Sequence, residues 1–402
     1  PNLNNNTNLS SFGCSWNNLT GQIPDLSKNT QLGSFGCESN QLIGQIPDLS
    51  QNVQLNSFFC GNNALTGSIP DLSKNNKLVF FFCENNLLSG IIPNLISSNN
   101  LGYFSCRSNK LIGSIPKLPI YMQVFDCGNN NIGGSIPNLS NLEYLNTFVC
   151  DSNNISGIIP EIFTIKNMYN FNCSFNNLSG MIPDLSNNLK LSMFNCNSNH
   201  LTGMIPQISN NTELIEFNCS HNQIDGKIPT LINCQKLRIF LCSENQLSGD
   251  IPNLPVSLNE FNCSKNTIRG KLPDLTSNKY LVSFNCSWNN LTGQLPDLSQ
   301  NVFLLNFNCR SNYISGSVSN FSISNLLRLK EFDCSENQLT GCFPTTICSL
   351  GKSVFNSLNN SLLPWQGDHL RFCAGESQVG ASCDDLDSNT INDVINANCE
   401  CK

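Results

Sequence analysis

The sequence predicts an α/β-type solenoid that is mostly β, with about 15 coils stacked along a parallel sheet. Two observations support this prediction. Fifteen of the 22 cysteines recur at a nearly constant interval, and eleven of the fourteen intervals between them are 23 residues long. A closely similar pattern of Leu, Phe, Asn, Gly, Ile and Pro surrounds most of these cysteines. A fixed period of roughly 20 to 50 residues is typical of solenoids, in which each unit contacts only its neighbours.

One repeat unit reads L-x-x-F-x-C-x-x-N-x-L-x-G-x-I-P-x-L. The alternation of Phe and Cys indicates a short strand with one buried face. The Asn that follows is expected at a bend, where its amide bonds the backbone of neighbouring coils. Gly then permits a tight turn and Pro ends any helix. One complete example consists of Leu191, Phe194, Cys196, Asn199, Leu201, Gly203, Ile205 and Pro206.

The L-x-G-x-I-P segments resemble leucine-rich repeats, specifically the plant-type extracellular class. Matching stretches are 19–24, 65–70, 178–183 and 291–296, and the resemblance covers roughly residues 1–350. It implies a right-handed superhelix with a concave parallel sheet, used as an extracellular binding scaffold. Members of this class are receptor ectodomains and inhibitors of secreted cell-wall-degrading enzymes, and similar repeats occur in protist and bacterial surface proteins. Phe and Cys stand here where the family commonly has Leu.

The repeat pattern divides the chain into three segments. Residues 1–8 match part of a preceding coil, residues 9–350 form the solenoid, and residues 351–402 form a Cys-rich C-terminal cap or module. No N-terminal cap of the family type precedes the first coil, so this end is expected to expose core and an unpaired strand edge. Either upstream residues are missing from this sequence, or another molecule covers that end. If the C-terminal module of one copy caps the next copy, head-to-tail contacts would build an open fibre.

The fifteen periodic cysteines are expected to form a column of buried, reduced thiols. In-register neighbours of a parallel sheet hold their Cβ atoms too far apart for the usual disulfide. A column of metal ions is the alternative, but no His or carboxylate keeps the same register. Cys234 is expected in the core. The remaining six predict up to three disulfides and an oxidising compartment: Cys342, Cys348, Cys373, Cys383, Cys399 and Cys401.

The acidic C-terminal segment contains a candidate structural calcium site, and no other cofactor is expected. Alternating oxygen ligands there mimic the start of a calcium loop: Asp385, Asp387, Asn389 and Asp393. Thr390 stands where an EF-hand requires Gly, and Asn396 where it requires Glu, so a disulfide-bound turn is the alternative. The segment 383–394 resembles a Cys-flanked module in secreted proteins of marine bacteria and protists.

Two outward-facing features of the predicted concave sheet are candidate binding surfaces. In coils three to five, the first is an aromatic cluster of Phe59, Phe80, Phe82 and Tyr103, interpreted as a protein interface or as a shallow patch covered by neighbours or glycans. The second is a row of asparagines directly before the cysteines, at Asn172, Asn195, Asn218, Asn262, Asn285 and Asn308. Their amides are expected to bond one another along the sheet, with carbohydrate or ice binding as the alternative.

The chain contains fourteen N-x-[ST] sequons, against roughly 11 expected by chance for this composition. Position therefore carries the prediction of N-linked glycans, which require exposed acceptors. Glycosylation is predicted at Asn18, Asn138, Asn154, Asn177, Asn210, Asn290, Asn320 and Asn359. Sequons with Cys as the middle residue are poorer acceptors and occur at Asn172, Asn218, Asn262 and Asn285.

Composition excludes several function classes. The net charge is −7 and the 21 Lys and Arg residues are scattered, which argues against nucleic acid as a partner. No apolar run approaches the roughly 20 residues of a membrane-spanning helix. The three histidines, His200, His221 and His369, belong to no motif that pairs a base with a nucleophile, so no enzyme is predicted.

The predicted function is that of a non-catalytic, secreted or cell-surface glycoprotein. It acts by contacts with a protein partner or with copies of itself, as a structural or assembling component of a surface, matrix or filament. The alternative is a ligand-binding ectodomain or an inhibitor of a secreted hydrolase. A weaker alternative is binding of carbohydrate or ice.

Overall fold

The computed structural model describes residues 2–319, 325–344, 347–348, 354–371, 373–374 and 394. It contains two compact units, Pro1–Thr202 and Gly203–Lys402. Both units are stacks of short coils whose strands pair in parallel, and together they make about 15 turns. The predicted mostly β solenoid is therefore confirmed.

The main sheet of the first unit contains one strand from each coil. Neighbouring strands are parallel and in register, so that Phe35 lies opposite Phe58 and Phe58 opposite Phe81. The strands, in spatial order, are β1 (Ser11–Gly13), β3 (Ser34–Gly36), β5 (Ser57–Phe59), β6 (Phe80–Phe82), β7 (Tyr103–Ser105), β8 (Val124–Asp126), β9 (Thr147–Val149), β11 (Asn170–Asn172) and β13 (Met193–Asn195).

The second unit repeats this arrangement, with Phe240 opposite Phe261 and Phe261 opposite Phe284. Its main-sheet strands are β15 (Glu216–Asn218), β16 (Ile239–Leu241), β17 (Glu260–Asn262), β19 (Ser283–Asn285), β21 (Asn306–Asn308), β23 (Glu331–Asp333) and β25 (Phe355–Asn356). A short 3₁₀ helix, Pro364–Gly367, and one turn of α-helix, His369–Arg371, follow β25.

Short parallel pairs also form at the L-x-G segments. In the first unit these are β2 (Thr20–Gln22) with β4 (Gln41–Ile43), and β10 (Ser156–Ile158), β12 (Asn177–Gly180) and β14 (His200–Leu201). In the second unit they are β18 (Arg269–Lys271) with β20 (Asn290–Thr292), and β22 (Ser315–Ser317) with β24 (Gln338–Thr340). The glycine of each segment has positive φ, as at Gly180 (φ 76°), where a Cβ would lie 2.9 Å from Ile158 Cγ2.

The core consists of columns of identical side chains, as the alternation of Phe and Cys predicts. The phenylalanine rings of the first unit stack along the sheet, with centroids 5.2 Å apart for Phe35 and Phe58 and 5.7 Å apart for Phe81 and Phe104. The cysteines two residues later form a parallel column that is buried from Cys37 onwards. Offset stacking of aromatic rings and close packing of thiols hold neighbouring coils in register.

The constant spacing of Asn after Cys places an amide at each bend, and beyond the first coil these asparagines are buried or half-buried. Asn153 Nδ2 donates to the carbonyl oxygens of Cys127, Cys150 and Asp151 at 3.0–3.2 Å, and its Oδ1 accepts the Ile132 N–H at 2.9 Å. Each such amide therefore joins its own coil to the previous one. This confirms the predicted role of the bend asparagine.

A second column of buried asparagines lies before the main-sheet strands, and the sequence pattern did not reveal it. Asn52 Nδ2 donates to the carbonyl oxygens of Leu26 and Asn29, both at 3.0 Å. Other coils use a different donor at this position: Ser98 Oγ bonds the carbonyl of Leu72. In the second unit the Cys234 thiol takes the position, 3.2 Å from the carbonyl of Ile208, so its predicted place in the core is confirmed.

The last coil extends beyond residue 350, where the repeat pattern ends in the sequence. Phe355 pairs with Phe332 in the main sheet, and Asn360 occupies the bend position, donating to the carbonyl of Cys334 at 3.1 Å. Ser357 stands at the position of the periodic cysteine, which hides this coil from a pattern based on cysteine spacing.

Replacing one bend asparagine tests its contribution. Asn153→Ala leaves the Ile132 N–H and three buried carbonyls without this partner, so we expect the free energy of unfolding to fall by about 3 kcal/mol. Hydrogen exchange should localise the loss to the Ile132 amide and its neighbours. The control is Asn154→Ala, which alters an exposed side chain. Equal protection of the Ile132 amide in both variants would contradict the bridging role.

Candidate functional site

The outward side of the main sheet in the first unit has an aromatic face, defined as Phe59, Phe80, Phe82 and Tyr103. Phe80 and Tyr103 stack with centroids 4.7 Å apart, and Phe82 lies 5.4 Å from Phe59 and 6.4 Å from Phe80. All four rings are partly exposed. The predicted cluster therefore forms, with its members in mutual contact.

The core stack beneath the sheet and a hydrogen bond to a neighbouring side chain hold the aromatic face in place. Phe58 and Phe81, in the same strands, point inward and are fully buried in the core stack. The Tyr103 hydroxyl donates to Gln123 Oε1 at 2.6 Å, which fixes the orientation of this ring. The face is consequently a rigid surface whose rings contact one another before any partner binds.

The coils before the aromatic face have small outward side chains. Ser11 and Ser34 occupy the position of Phe80, and Gly13 and Gly36 occupy the position of Phe82. The rings of the aromatic face thus border a lower part of the same sheet. A partner that docks at this border contacts both the sides of the aromatic rings and the lower part of the sheet beside them.

The residues that directly follow the periodic cysteines form a charged row in coils two to seven. Arg107 binds both oxygens of Asp151, at 2.7 and 3.0 Å, and lies 3.4 Å from Asp126 Oδ1. The Asp151 carboxylate raises the pKa of Arg107, and burial raises the pKa of Asp126. Glu84 belongs to the same row, and burial raises the pKa of its carboxyl.

The row of outward asparagines does not form the predicted amide ladder. The Oδ1 of Asn172 accepts the backbone N–H of Ser174 at 3.1 Å and its hydroxyl at 2.7 Å, all within one coil. The same bond recurs at the other five asparagines. The expectation of mutual bonding is therefore wrong, because the bend places an N–H of the same coil within closer reach than the neighbouring amide.

Comparisons with known proteins agree with this architecture. A family model described as "Leucine Rich Repeat" matches residues 328–350, and no curated protein sequence matches the chain. The Arabidopsis receptor kinase HAESA, crystallised with the peptide hormone IDA and the co-receptor SERK1, is similar, with a TM-score of 0.75 and 26% identity over 90% of this chain and 67% of HAESA's. This chain is a leucine-rich-repeat solenoid.

Two further structures share the leucine-rich-repeat fold. The ectodomain of the receptor kinase GASSHO1/SCHENGEN3 from Arabidopsis thaliana has a TM-score of 0.64 and 26% identity over 85% of this chain, which spans 48% of that chain. The functional domain of InlJ from Listeria monocytogenes, described as including a cysteine ladder, has a TM-score of 0.68 and 24% identity over 88% of this chain and 72% of its own.

The periodic cysteines form no disulfide in the described residues. Desolvation raises the pKa of Cys60, Cys150 and Cys242 well above the ordinary value, so each thiol keeps its proton. Among the described residues no cluster of three His, Cys, Asp or Glu has the arrangement of a metal site. The column packs as small apolar side chains.

The predicted C-terminal sites are only partly described. Cys348 and Cys373 form a disulfide, and Cys342 is also disulfide-bonded. Cys383, Cys399 and Cys401, with the candidate calcium ligands Asp385, Asp387, Asn389 and Asp393, lie outside the described residues. Disulfide pairing of those three and calcium binding stay predictions.

The three histidines have different surroundings. His200 is exposed at the start of β14, His221 Nδ1 lies 2.8 Å from Glu244 Oε2, and His369 packs edge-on against Phe355. In the described part of the chain, no helix combines the length and apolar character of a membrane span.

The sequons fall into two structural groups. Seven of the eight predicted acceptors have exposed side chains, and the eighth, Asn320, lies outside the described residues. The four sequons with Cys in the middle are half-buried or buried, and their side-chain oxygens are engaged in the bend. Occupancy by glycans stays a prediction.

Alkylation tests the thiol column. Burial raises the pKa of these thiols and removes them from solvent, so at a pH of about 8.5, the ordinary thiol pKa, we expect iodoacetamide to leave Cys60, Cys150 and Cys242 unmodified. The partly exposed Cys14 serves as the internal control. Labelling of the native column as fast as in guanidinium chloride would rule out the packed arrangement.

Glycan mapping tests the division of the sequons. After production in a eukaryotic secretory pathway, we expect glycans at Asn18, Asn154, Asn177 and Asn290, because these side chains are exposed. Glycan occupancy at each site is measured by deglycosylation in heavy-oxygen water followed by peptide mass spectrometry. The half-buried Asn172 and Asn285 provide the comparison and should remain unmodified. Comparable occupancy of both groups would contradict exposure as the selecting factor.

Proposed function

We propose that this chain is a non-catalytic extracellular module that binds a protein partner through its aromatic face. The observation that carries the proposal is the contact cluster of four partly exposed rings on a rigid sheet. A lone soluble protein gains nothing from such a patch, whereas aromatic side chains are enriched in the cores of protein interfaces. The finer assignment, a ligand-binding ectodomain, is favoured over an assembling component because the patch has a stepped shape suited to a distinct partner.

Two similar proteins support a protein partner. HAESA was crystallised with the peptide hormone IDA and the co-receptor SERK1, and the GASSHO1/SCHENGEN3 ectodomain with CASPARIAN STRIP INTEGRITY FACTOR 2. Both have 26% identity to this chain, which spans 48% of the latter, so their ligands guide the class of partner and not its identity. The Cys348–Cys373 disulfide supports the extracellular location, because disulfides persist in oxidising compartments.

Removing one ring tests the proposal. Phe82→Ser deletes the central ring of the aromatic face, and we expect a partner captured from the native extracellular fluid to bind about 30-fold more weakly, equivalent to roughly 2 kcal/mol for an interface hot spot. The purified partner's affinity is measured by biolayer interferometry. The matched control is Phe163→Ser, which alters an exposed Phe outside the aromatic face. The partner should bind this variant with normal affinity.

Two results decide between the alternatives. Equal affinity of wild type, Phe82→Ser and Phe163→Ser for every captured protein would remove the aromatic face as the binding site. Light scattering across a concentration range tests self-assembly: fibres that disappear in Phe82→Ser would make a second copy of the chain the partner, and would favour the structural role over the ectodomain.

A further inference from the structure

The row of residues after the periodic cysteines contains two glycines, each flanked by charged residues. Gly128 lies between Arg107 and Asp151 of the adjacent coils, and Gly61 lies between Glu38 and Glu84. A glycine projects no side chain from its own coil, which leaves a space above the sheet edge that side chains of the adjacent coils enter and cover, so both glycines are buried. The two spaces have the same surroundings in the fold and differ in the charges beside them.

The space above Gly128 is filled by an ion pair between coils that are two apart. Arg107 extends across it and binds both oxygens of Asp151 at 2.7 and 3.0 Å, in the planar fork geometry that suits guanidinium and carboxylate. Asp126 accepts a further bond from Arg107 at 3.4 Å. A Cβ on Gly128 would overlap the guanidinium and lie 2.6 Å from Asp151 Oδ1, so this pair requires glycine here.

The space above Gly61 has the acceptor but lacks the cation. Glu84 leans over Gly61 as Asp151 leans over Gly128, with Oε1 2.6 Å from the position of a Cβ. The residue that corresponds to Arg107 is Glu38, whose carboxylate instead accepts the hydroxyl of Ser15 at 2.6 Å. The buried Oε2 of Glu84 has no hydrogen-bond partner.

The Glu84 carboxylate is hydrogen-bonded by the Ser105 side chain and by its own backbone, but it forms no ion pair among the described residues. Burial raises the pKa of Glu84, and the nearby charges of Asp126 and Glu38 raise it further. A cation bound between the two glutamates would reverse both effects, since it would replace lost hydration and offset their repulsion. The Arg107 site shows that this sheet edge accommodates a guanidinium in that position.

The Gly61 space borders the aromatic face. Phe59 and Phe82 precede Gly61 and Glu84 by two residues, and side chains two apart in an extended strand point to the same side of a sheet. A cation that enters the space therefore passes beside aromatic rings, whose faces attract guanidinium and ammonium groups. Apolar area and negative charge thus adjoin one another on the outward side.

We propose that the Gly61 space, between Glu38 and Glu84, receives an arginine or lysine side chain of the protein partner that docks on the aromatic face. This inference rests on the proposed function and specifies the chemistry of its partner. The incoming group takes the place that Arg107 occupies above Gly128 and pairs with Glu84. The partner segment therefore combines one basic residue with apolar residues that cover Phe59 and Phe82.

A peptide selection supplies the probe. A random linear peptide library displayed on phage is selected against the full chain, and clones that lose binding to Phe82→Ser are retained. We expect the retained sequences to share an Arg or Lys beside apolar residues. Each selected peptide is then synthesised with arginine or with its neutral isostere, citrulline. On the wild-type chain, citrulline should weaken binding about tenfold, the effect of one charge-assisted hydrogen-bonded pair.

Three variants separate the pair from general effects. On Glu84→Gln the arginine and citrulline peptides should bind within about twofold of each other. Glu38→Arg places a guanidinium in the space from the chain itself, and should weaken the arginine peptide about tenfold while sparing the citrulline peptide. Glu161→Gln, which neutralises an exposed carboxylate elsewhere, is the control. Thermal denaturation checks that all three variants remain folded.

The outcomes distinguish this inference from the proposed function. Phe82-dependent peptides without a basic residue, or an unchanged affinity after the citrulline exchange, overturn the inference and leave the aromatic face as a binding site. A preference for arginine that persists on Glu84→Gln also overturns it. A library that yields no Phe82-dependent peptide overturns both.

Discussion

The hydrogen bonds of the bend asparagine are the interaction on which the stacking of the coils depends. A main-sheet strand is three residues long, so most of the backbone of a coil lies outside regular pairing and still has to be satisfied once buried. One amide bonds carbonyls of its own coil and of the previous coil, and accepts an N–H from the previous coil. The spacing and register of neighbouring coils are thereby set together. The second column, represented by Asn52, fixes each coil at another point along its path.

Since inward residues determine the coil, chemical variety is confined to outward positions. Phe and Cys occupy successive inward positions in nearly every coil, and the large ring and the small thiol fill the same layer in a complementary way. The outward positions between them range from Gly13 to Phe82 and from Glu84 to Arg107 without any change in strand pairing. Function in such a protein is therefore to be sought where the outward residues depart from the repeat, as they do in coils two to seven.

Sequence periodicity predicted the inward columns, the bend asparagine and the aromatic cluster, because each follows from one position repeated at one interval. It did not predict the second amide column, where Ser98 and Cys234 replace Asn and break the pattern. Periodicity also did not predict the bond between Arg107 and Asp151, since the two residues are 44 positions and two coils apart. The prediction that the outward asparagines bond one another was wrong because the geometry of the bend, and not the spacing between coils, decides which N–H their oxygens accept.

Affinity and selectivity have separate sources on this surface. The rings of the aromatic face already contact one another, and Tyr103 is tied to Gln123, so docking requires little further ordering and the apolar area is available to stabilise a complex. Apolar area alone discriminates poorly among partners. The Glu84 carboxylate beside it forms no ion pair among the described residues, and its Oε2 has no hydrogen-bond partner. It adds a penalty for any partner that covers the charge without compensating it, because a desolvated carboxylate without a cation is costly. A glycine in one coil and acidic residues in the two neighbouring coils are sufficient to create this selectivity for a cationic partner. They leave the inward columns of Phe and Cys unchanged.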